Sequence, residues 1–239
     1  MLPRGLCVDP SGDLLYVNNG NNRVLALDQK SQVLKDTGLI NTLDPGGGVS
    51  GPDGRYDVGS RRLRTIMAMP PDLDGPAIPY LPPEVVPFPR GFAFAPDGRV
   101  FLASGMSPSG VGENTIKVFD ADGHLLVPRF VEDSQLSPLD LAVAPNGNIV
   151  VSCERPFGER DANSSVREYD STSGRLVRIF RPDGSILFRN PRGLRFSPDS
   201  DLYCVARDEV VSFDFETGVF SGAIVNCPDL FGQAVEIFG

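Results

Sequence analysis

PRGFAFAPDGRVFLAS, residues 89–104, decides the fold, because the chain repeats it. Related stretches are PRGLCVDPSGDLLYVN from Pro3, PGGGVSGPDGRYDVGS from Pro45, PLDLAVAPNGNIVVSC from Pro138 and PRGLRFSPDSDLYCVA from Pro191. Five copies spaced by 42, 44, 49 and 53 residues argue for one continuous repeat architecture.

The copies share a register. A second proline follows the first by seven residues, at 10, 52, 96, 145 and 198. A turn pair comes next: Ser11-Gly12, Asp53-Gly54, Asp97-Gly98, Asn146-Gly147 and Asp199-Ser200. Such pairs favour tight turns through positive φ and local side-chain hydrogen bonds. Short apolar strands flank each turn (FAF then RVFLAS in the third copy). A third strand follows as RVLALD, LRTIMAM, TIKVFD, SVREYD and VVSFDF, and a fourth as VLKDTG, HLLVPRF, RLVRIF and VFSGAIV. Four antiparallel strands per unit of this length predict the blades of an all-β propeller. Residues 1–239 read as a single propeller domain of five blades plus a closing C-terminal strand in GQAVEIF, with six blades as the alternative. The proline-rich segment 70–89 lacks too many N–H donors for a central strand, so it is expected to wrap the outside or link blades two and three.

The totals narrow the function classes. Net charge is −9, a field that repels phosphate backbones and argues against nucleic acid, although a local basic patch survives such a field. No apolar run approaches the length of a membrane span, so no membrane partner is expected. The chain begins directly on a repeat, without a basic and apolar leader, so no signal peptide is read and a cytosolic setting is favoured. Cys7, Cys153, Cys204 and Cys227 lack CxxC spacing and read as small reduced hydrophobes. The sequon at Asn163 carries little weight.

The phrases PRGLCVDPSGDLLYV…NNRVLALD and PRGFAFAPDGRVFLAS…IKVFDADG resemble the NHL-repeat and gluconolactonase/regucalcin-type β-propeller superfamily, over about residues 2–225. The resemblance implies that each blade's first strand starts beside the central channel, at the face to which the second strand returns. Fold alone does not fix activity.

On that basis two sets of positions share a rim. Those after the first proline are Arg4, Gly46, Arg90, Leu139 and Arg192. Those ending the second strand are Asn18-Asn19, Ser60-Arg61, Ser104-Gly105, Cys153-Glu154 and Ala206-Arg207. Five arginines, Arg4, Arg61, Arg90, Arg192 and Arg207, are therefore expected at the mouth, with Asn18, Asn19, Ser60 and Ser104 as polar neighbours. Guanidinium forks suit carboxylates and phosphates, so the expected partner is a small anionic molecule or acidic glycan. The alternative is internal pairing with Asp140, Glu154, Asp208 or backbone carbonyls.

The resemblance also implies a Ca2+-dependent lactonase or esterase. Some of its metal ligands fall at the position after the first proline, where this chain has Arg, Gly, Arg, Leu and Arg, and a cation is repelled there. A reduced site from Asp140, Glu154, Asn18 and Asn19 stays open, since calcium takes several oxygen ligands. Without a metal, Asp140 or Glu154 would be the general base, with arginines holding an oxyanion. His124, the one histidine, reads as a turn residue on the opposite face, which argues against a histidine-dependent lyase or a Ser-His-Asp triad. A protein-interaction scaffold is the third reading.

Overall fold

The computed structural model describes residues 3–107, 109–110, 112–154, 164–183, 188–227, 232 and 234–236. Twenty strands form five four-stranded antiparallel sheets in chain order. Blade one holds β1 (Pro3–Val8), β2 (Leu15–Asn19), β3 (Arg23–Leu27) and β4 (Val33–Asp36). Blade two holds β5 (Pro45–Ser50), β6 (Tyr56–Ser60), β7 (Thr65–Met69) and β8 (Ile78–Pro79). Blade three holds β9 (Pro89–Phe94), β10 (Val100–Met106), β11 (Gly112–Phe119) and β12 (Leu125–Val127). Blade four holds β13 (Pro138–Val143), β14 (Ile149–Cys153), β15 (Ser165–Tyr169) and β16 (Leu176–Phe180). Blade five holds β17 (Pro191–Phe196), β18 (Leu202–Ala206), β19 (Glu209–Phe213) and β20 (Phe220–Asn226). The five-bladed reading of the repeats holds. Among the described residues, no helix is long and apolar enough to cross a membrane.

The turn chemistry works as its residues require. Gly12, Gly54, Gly98 and Gly147 adopt φ of 82°, 81°, 87° and 83°, and Ser200 takes the same place at 70°. Blade two's fourth strand, absent from the sequence reading, lies inside the proline-rich segment as the two-residue edge strand β8, where missing donors cost no ladder bond. The same segment caps the next blade: Leu81 and Val86 are buried between blades two and three, and Tyr80 Oη donates to Ala121 O at 2.8 Å.

Four apolar clusters join consecutive blades, one at each boundary from blades one–two to four–five. Between blades one and two, Tyr16 and Tyr56 stack at 4.8 Å and Asn18 Nδ2 donates to Gly46 O at 3.1 Å. Among the described residues, the boundary between blades five and one is polar instead. Arg195 donates to Leu6 O at 2.7 Å and to Glu236 at 3.0 Å, and Val8 N donates to the same Glu236 carboxylate at 3.4 Å. The expected closing strand falls partly outside the described residues. Its described part, residues 232 and 234–236, carries no strand assignment and closes the ring through Glu236.

The inner strands β1, β5, β9, β13 and β17 converge on the axis, and their glycines permit it. A methyl on Gly91 would meet the Asp140 backbone at 2.7 Å, and one on Gly193 would meet Ala234 at 2.5 Å. Both neighbours are main chain and cannot swing aside. Gly91→Ala is expected to cost about 1–3 kcal/mol, the usual price of overpacking. Urea denaturation checks it, and an unchanged midpoint would show that the blades can move apart.

Candidate functional site: an arginine-lined mouth

In every blade the first proline pairs with the last residues of the second strand: Pro3 with Asn19, Pro45 with Ser60, Pro89 with Ser104, Pro138 with Cys153 and Pro191 with Ala206. The ladder register then shifts in all five, within the Pro-x-Gly element. A bulge of this kind re-aims a side chain. The re-aimed residue is Arg4, Arg90 or Arg192 in three of the blades.

Arg4, Arg61, Arg90 and Arg192 line one cleft, together with Gly46–Gly48, Leu139, Asp140, Arg195 and Ala234. The cleft has a cavity volume of about 50 Å3 and opens to solvent at one end. Blade two contributes the glycine backbone of Gly46–Gly48 at this level, packed against blade three and Tyr56.

Arg61 and Arg90 both pack near one aromatic ring, with guanidinium carbons 5.4 and 4.5 Å from the Phe88 centroid. Arg90 donates to Met106 O at 3.3 Å, yet its buried Nε and that of Arg61 meet no hydrogen-bond acceptor among the described residues. Burial, then the charges of Arg61, Arg192 and Arg4, push Arg90 down to about 9, with Glu154 opposing. Burial and the charges of Arg4 and Arg192 push Arg61 down to about 10. Guanidinium groups keep their proton throughout the accessible pH range, so this pressure is carried as unrelieved repulsion in the folded state.

Two carboxylates partly answer it. Glu154 is buried, with Oε2 at 3.5 Å from Arg192 Nη2 but no hydrogen bond to that oxygen. Asp44, on the exposed rim, is 4.0 Å from Arg61. A lower tier is more nearly self-contained. Asp140 Oδ2 accepts from Leu194 N at 3.0 Å and lies 3.8 Å from Arg195, which also pairs with Glu236. Burial pushes the Asp140 carboxyl upward, against the pull of Arg195. The residue that breaks the glycine pattern of the repeats thus braces the axis.

The remaining expected site residues are placed elsewhere. Arg207 sits in the two-residue β18–β19 turn, 3.4 Å from Asp208, and does not line the cleft. Ser60 Oγ donates to Thr42 O at 2.6 Å and receives Leu63 N, which makes it a turn clamp. Ser104 is fully buried, and its Oγ meets no partner among the described residues. Asn18 lies under Gly5 and Gly48 as an inter-blade tie. The side chain of Asn19 lies outside the described residues, as do 155–163 of the long blade-four loop. The connection between β10 and β11 is short, because Met106 pairs with Gly112. Sequence reasoning missed Arg195, Glu236 and Phe88; the phrase PRGLRF carried Arg195 in plain sight, but nothing local ties it to a residue 41 positions later.

The donor set does not fit a calcium ion. Asp140 is held by Arg195 and a backbone N–H, Glu154 faces Arg192, and Asn18 presents Nδ2 to Gly46 O. Four guanidiniums stand around the same space. Elsewhere, Asp120, Asp122 and His124 bring ligand atoms within 4.8 Å of one another at the exposed β11–β12 turn. Their arrangement is that of a turn: Asp120 accepts from the N–H groups of Asp122 and His124 and from the imidazole.

No family model matches the sequence, and no curated protein matches it. Solved structures do match the fold. A gluconolactonase from Xanthomonas campestris superposes with a TM-score of 0.74 at 18% identity, over 98% of this chain and 79% of its own. Virginiamycin B lyase from Staphylococcus aureus gives 0.68 at 14%, over 97% and 73%. A nidogen/laminin complex gives 0.74 at 12%, over 97% and 82%. The chain has the β-propeller fold shared by these proteins. That agrees with the resemblance drawn from the repeats and, at such identities, concerns fold alone.

Replacing one crowded guanidinium by an apolar side chain of similar length removes repulsion. Arg90→Met is expected to raise stability by about 1–2 kcal/mol in a buffer free of multivalent anions, the lower part of the range for replacing buried ionic groups. Thermal denaturation is the check. A loss of stability would mean that stacking on Phe88 outweighs the repulsion.

Proposed function

We propose that this propeller binds a small anionic molecule in the mouth formed by Arg4, Arg61, Arg90 and Arg192. The observation that carries the reading is the convergence of Arg4, Arg61, Arg90 and Arg192, from four different blades, on one cleft. A bound anion supplies the countercharge, and the rigid donor forks suit carboxylate or phosphate oxygens. The surrounding protein is acidic, so the mouth is a local positive focus in a negative field, which favours selective capture over nonspecific binding to polyanions.

Isothermal titration with inorganic phosphate, citrate and glucuronate tests it. Saturable binding is expected, and Arg90→Ala should weaken it by about 1.5–3 kcal/mol, the range for hydrogen bonds to charged groups. Unchanged affinity in the variant would remove the cluster from the site.

A hydrolytic reading has one observation in its favour: the buried Glu154 Oε2 lacks a hydrogen bond and faces the arginines. It would serve as the base in lactone or ester opening while guanidiniums hold the developing oxyanion. Asp140, committed to Leu194 N and Arg195, positions rather than reacts. In that case lactone turnover would fall at least about 100-fold in Glu154→Gln, the usual general-base contribution. Full turnover in that variant would sink the catalytic reading and leave binding intact. One of the matched structures is described as a catalytically inactive histidine-to-alanine variant of the lyase. The one histidine of this chain, His124, sits in the exposed β11–β12 turn and does not line the cleft.

A further inference from the structure

We propose that the seam between blades five and one is a docking slot for an extended strand of a partner polypeptide, one with apolar side chains on both of its faces. The proposal is independent of the anion-binding reading.

Elsewhere in the ring, the face that a blade turns toward the preceding blade is sealed. In blade two, Tyr56 pairs with Met69 and Val58 with Met67, and all four are at 2% exposure or less. In blade five, Leu202 pairs with Phe213 and Cys204 with Val211, at 1% or less. The same register in blade one pairs Leu15 with Leu27 and Val17 with Leu25. These four are as apolar as their counterparts, yet each is only partly buried.

The opposite wall shows the same contrast. Toward the following blade, blade three presents Phe101, Ala103, Ile116 and Val118, all buried. At the corresponding places blade five keeps Val205 buried but leaves Tyr203 and Val210 partly exposed. Both walls open toward the perimeter. Val225, opposite Val210, is 44% exposed, and Val33, opposite Leu27, is 55% exposed.

At the axis the slot has a floor. A methyl on Gly193 would strike the Ala234 backbone, as one on Gly91 would strike that of Asp140 in the next blade's inner strand. Ala234 therefore lies where the inner strand of a further blade would lie. Residues 234–236 carry no strand assignment and join none of the five sheets. Arg195 and Glu236 tie the ring together at this level, and the walls farther out stay apart.

These features specify the occupant. A strand that ladders on an inner strand lies between two blades and is apolar on both faces, as β10 and β14 are. A strand set against residues 234–236 would meet the blade-one wall with one face and the blade-five wall with the other. It would gain main-chain hydrogen bonds along its edge and bury alternate side chains against each wall. The wall residues are uncharged, so an uninterrupted apolar strand fits and a charged one does not.

The test uses a synthetic peptide with the sequence of residues 98–104, GRVFLAS, which spans most of the doubly buried β10. Labelled at its N-terminus, it is titrated with the 239-residue protein and followed by fluorescence anisotropy. Saturable binding is expected, and Val17→Lys should weaken it at least about tenfold by placing a charge in the slot. Val33→Lys, at the exposed end of the wall where folding is not at risk, should weaken it in the same direction. No saturable binding, or equal binding by both variants and the unmodified protein, would overturn the proposal. Self-association of the protein, seen by light scattering and abolished by Val17→Lys, would overturn the choice of occupant and assign the slot to a second copy.

Discussion

The close approach of five backbone strands at the axis is the constraint from which the rest follows. Where β9 passes β13, and where β17 passes the C-terminal segment, a single added methyl would strike main chain. Four of the five inner strands therefore carry a glycine one or two residues after a proline, and a register shift follows at the same place in all five. Packing at the axis and display at the mouth are thus one device. The bulge that relieves crowding also turns the residue between proline and glycine toward the cleft. That residue is arginine three times, so the geometry that closes the ring concentrates positive charge at its centre.

Asp140 shows how tightly the two are linked. It occupies the glycine position in blade four, and its carboxylate takes a hydrogen bond from Leu194 N and faces Arg195. Arg195 in turn reaches Leu6 O and Glu236, across the one blade boundary that lacks an apolar cluster among the described residues. Four boundaries are held by apolar burial and the fifth by ionic and hydrogen-bonded contacts directly beneath the cleft. Apolar burial is non-directional, whereas a buried ion pair is costly to break and exacting in geometry. The ring is therefore sealed where its chemistry is concentrated.

The arginine mouth sets stability against function. A fold that selected only for stability would pair or remove Arg61 and Arg90, whose neighbours and burial both oppose their charge. On the anion-binding proposal, retaining them exchanges folded-state stability for a site preorganised toward negative charge, with both guanidiniums packed near the Phe88 ring. The overall charge of −9 offsets the cluster at long range but does not reach into it.

By itself, the sequence determined the number of blades, their inner strands and turns, and the convergence of Arg4, Arg61, Arg90 and Arg192. These follow from local rules: strand alternation, turn residues with positive φ, and a repeat whose register places like positions on one rim. Tertiary structure decided what each arginine meets. Arg207 is diverted to Asp208 in a tight turn, Phe88 packs near both Arg61 and Arg90, and Glu236 pairs with Arg195. The short β8 inside the proline-rich segment was equally invisible, because two residues carry no period. In each case the partner is remote in sequence, and its choice depends on how the blades pack rather than on any pattern along the chain.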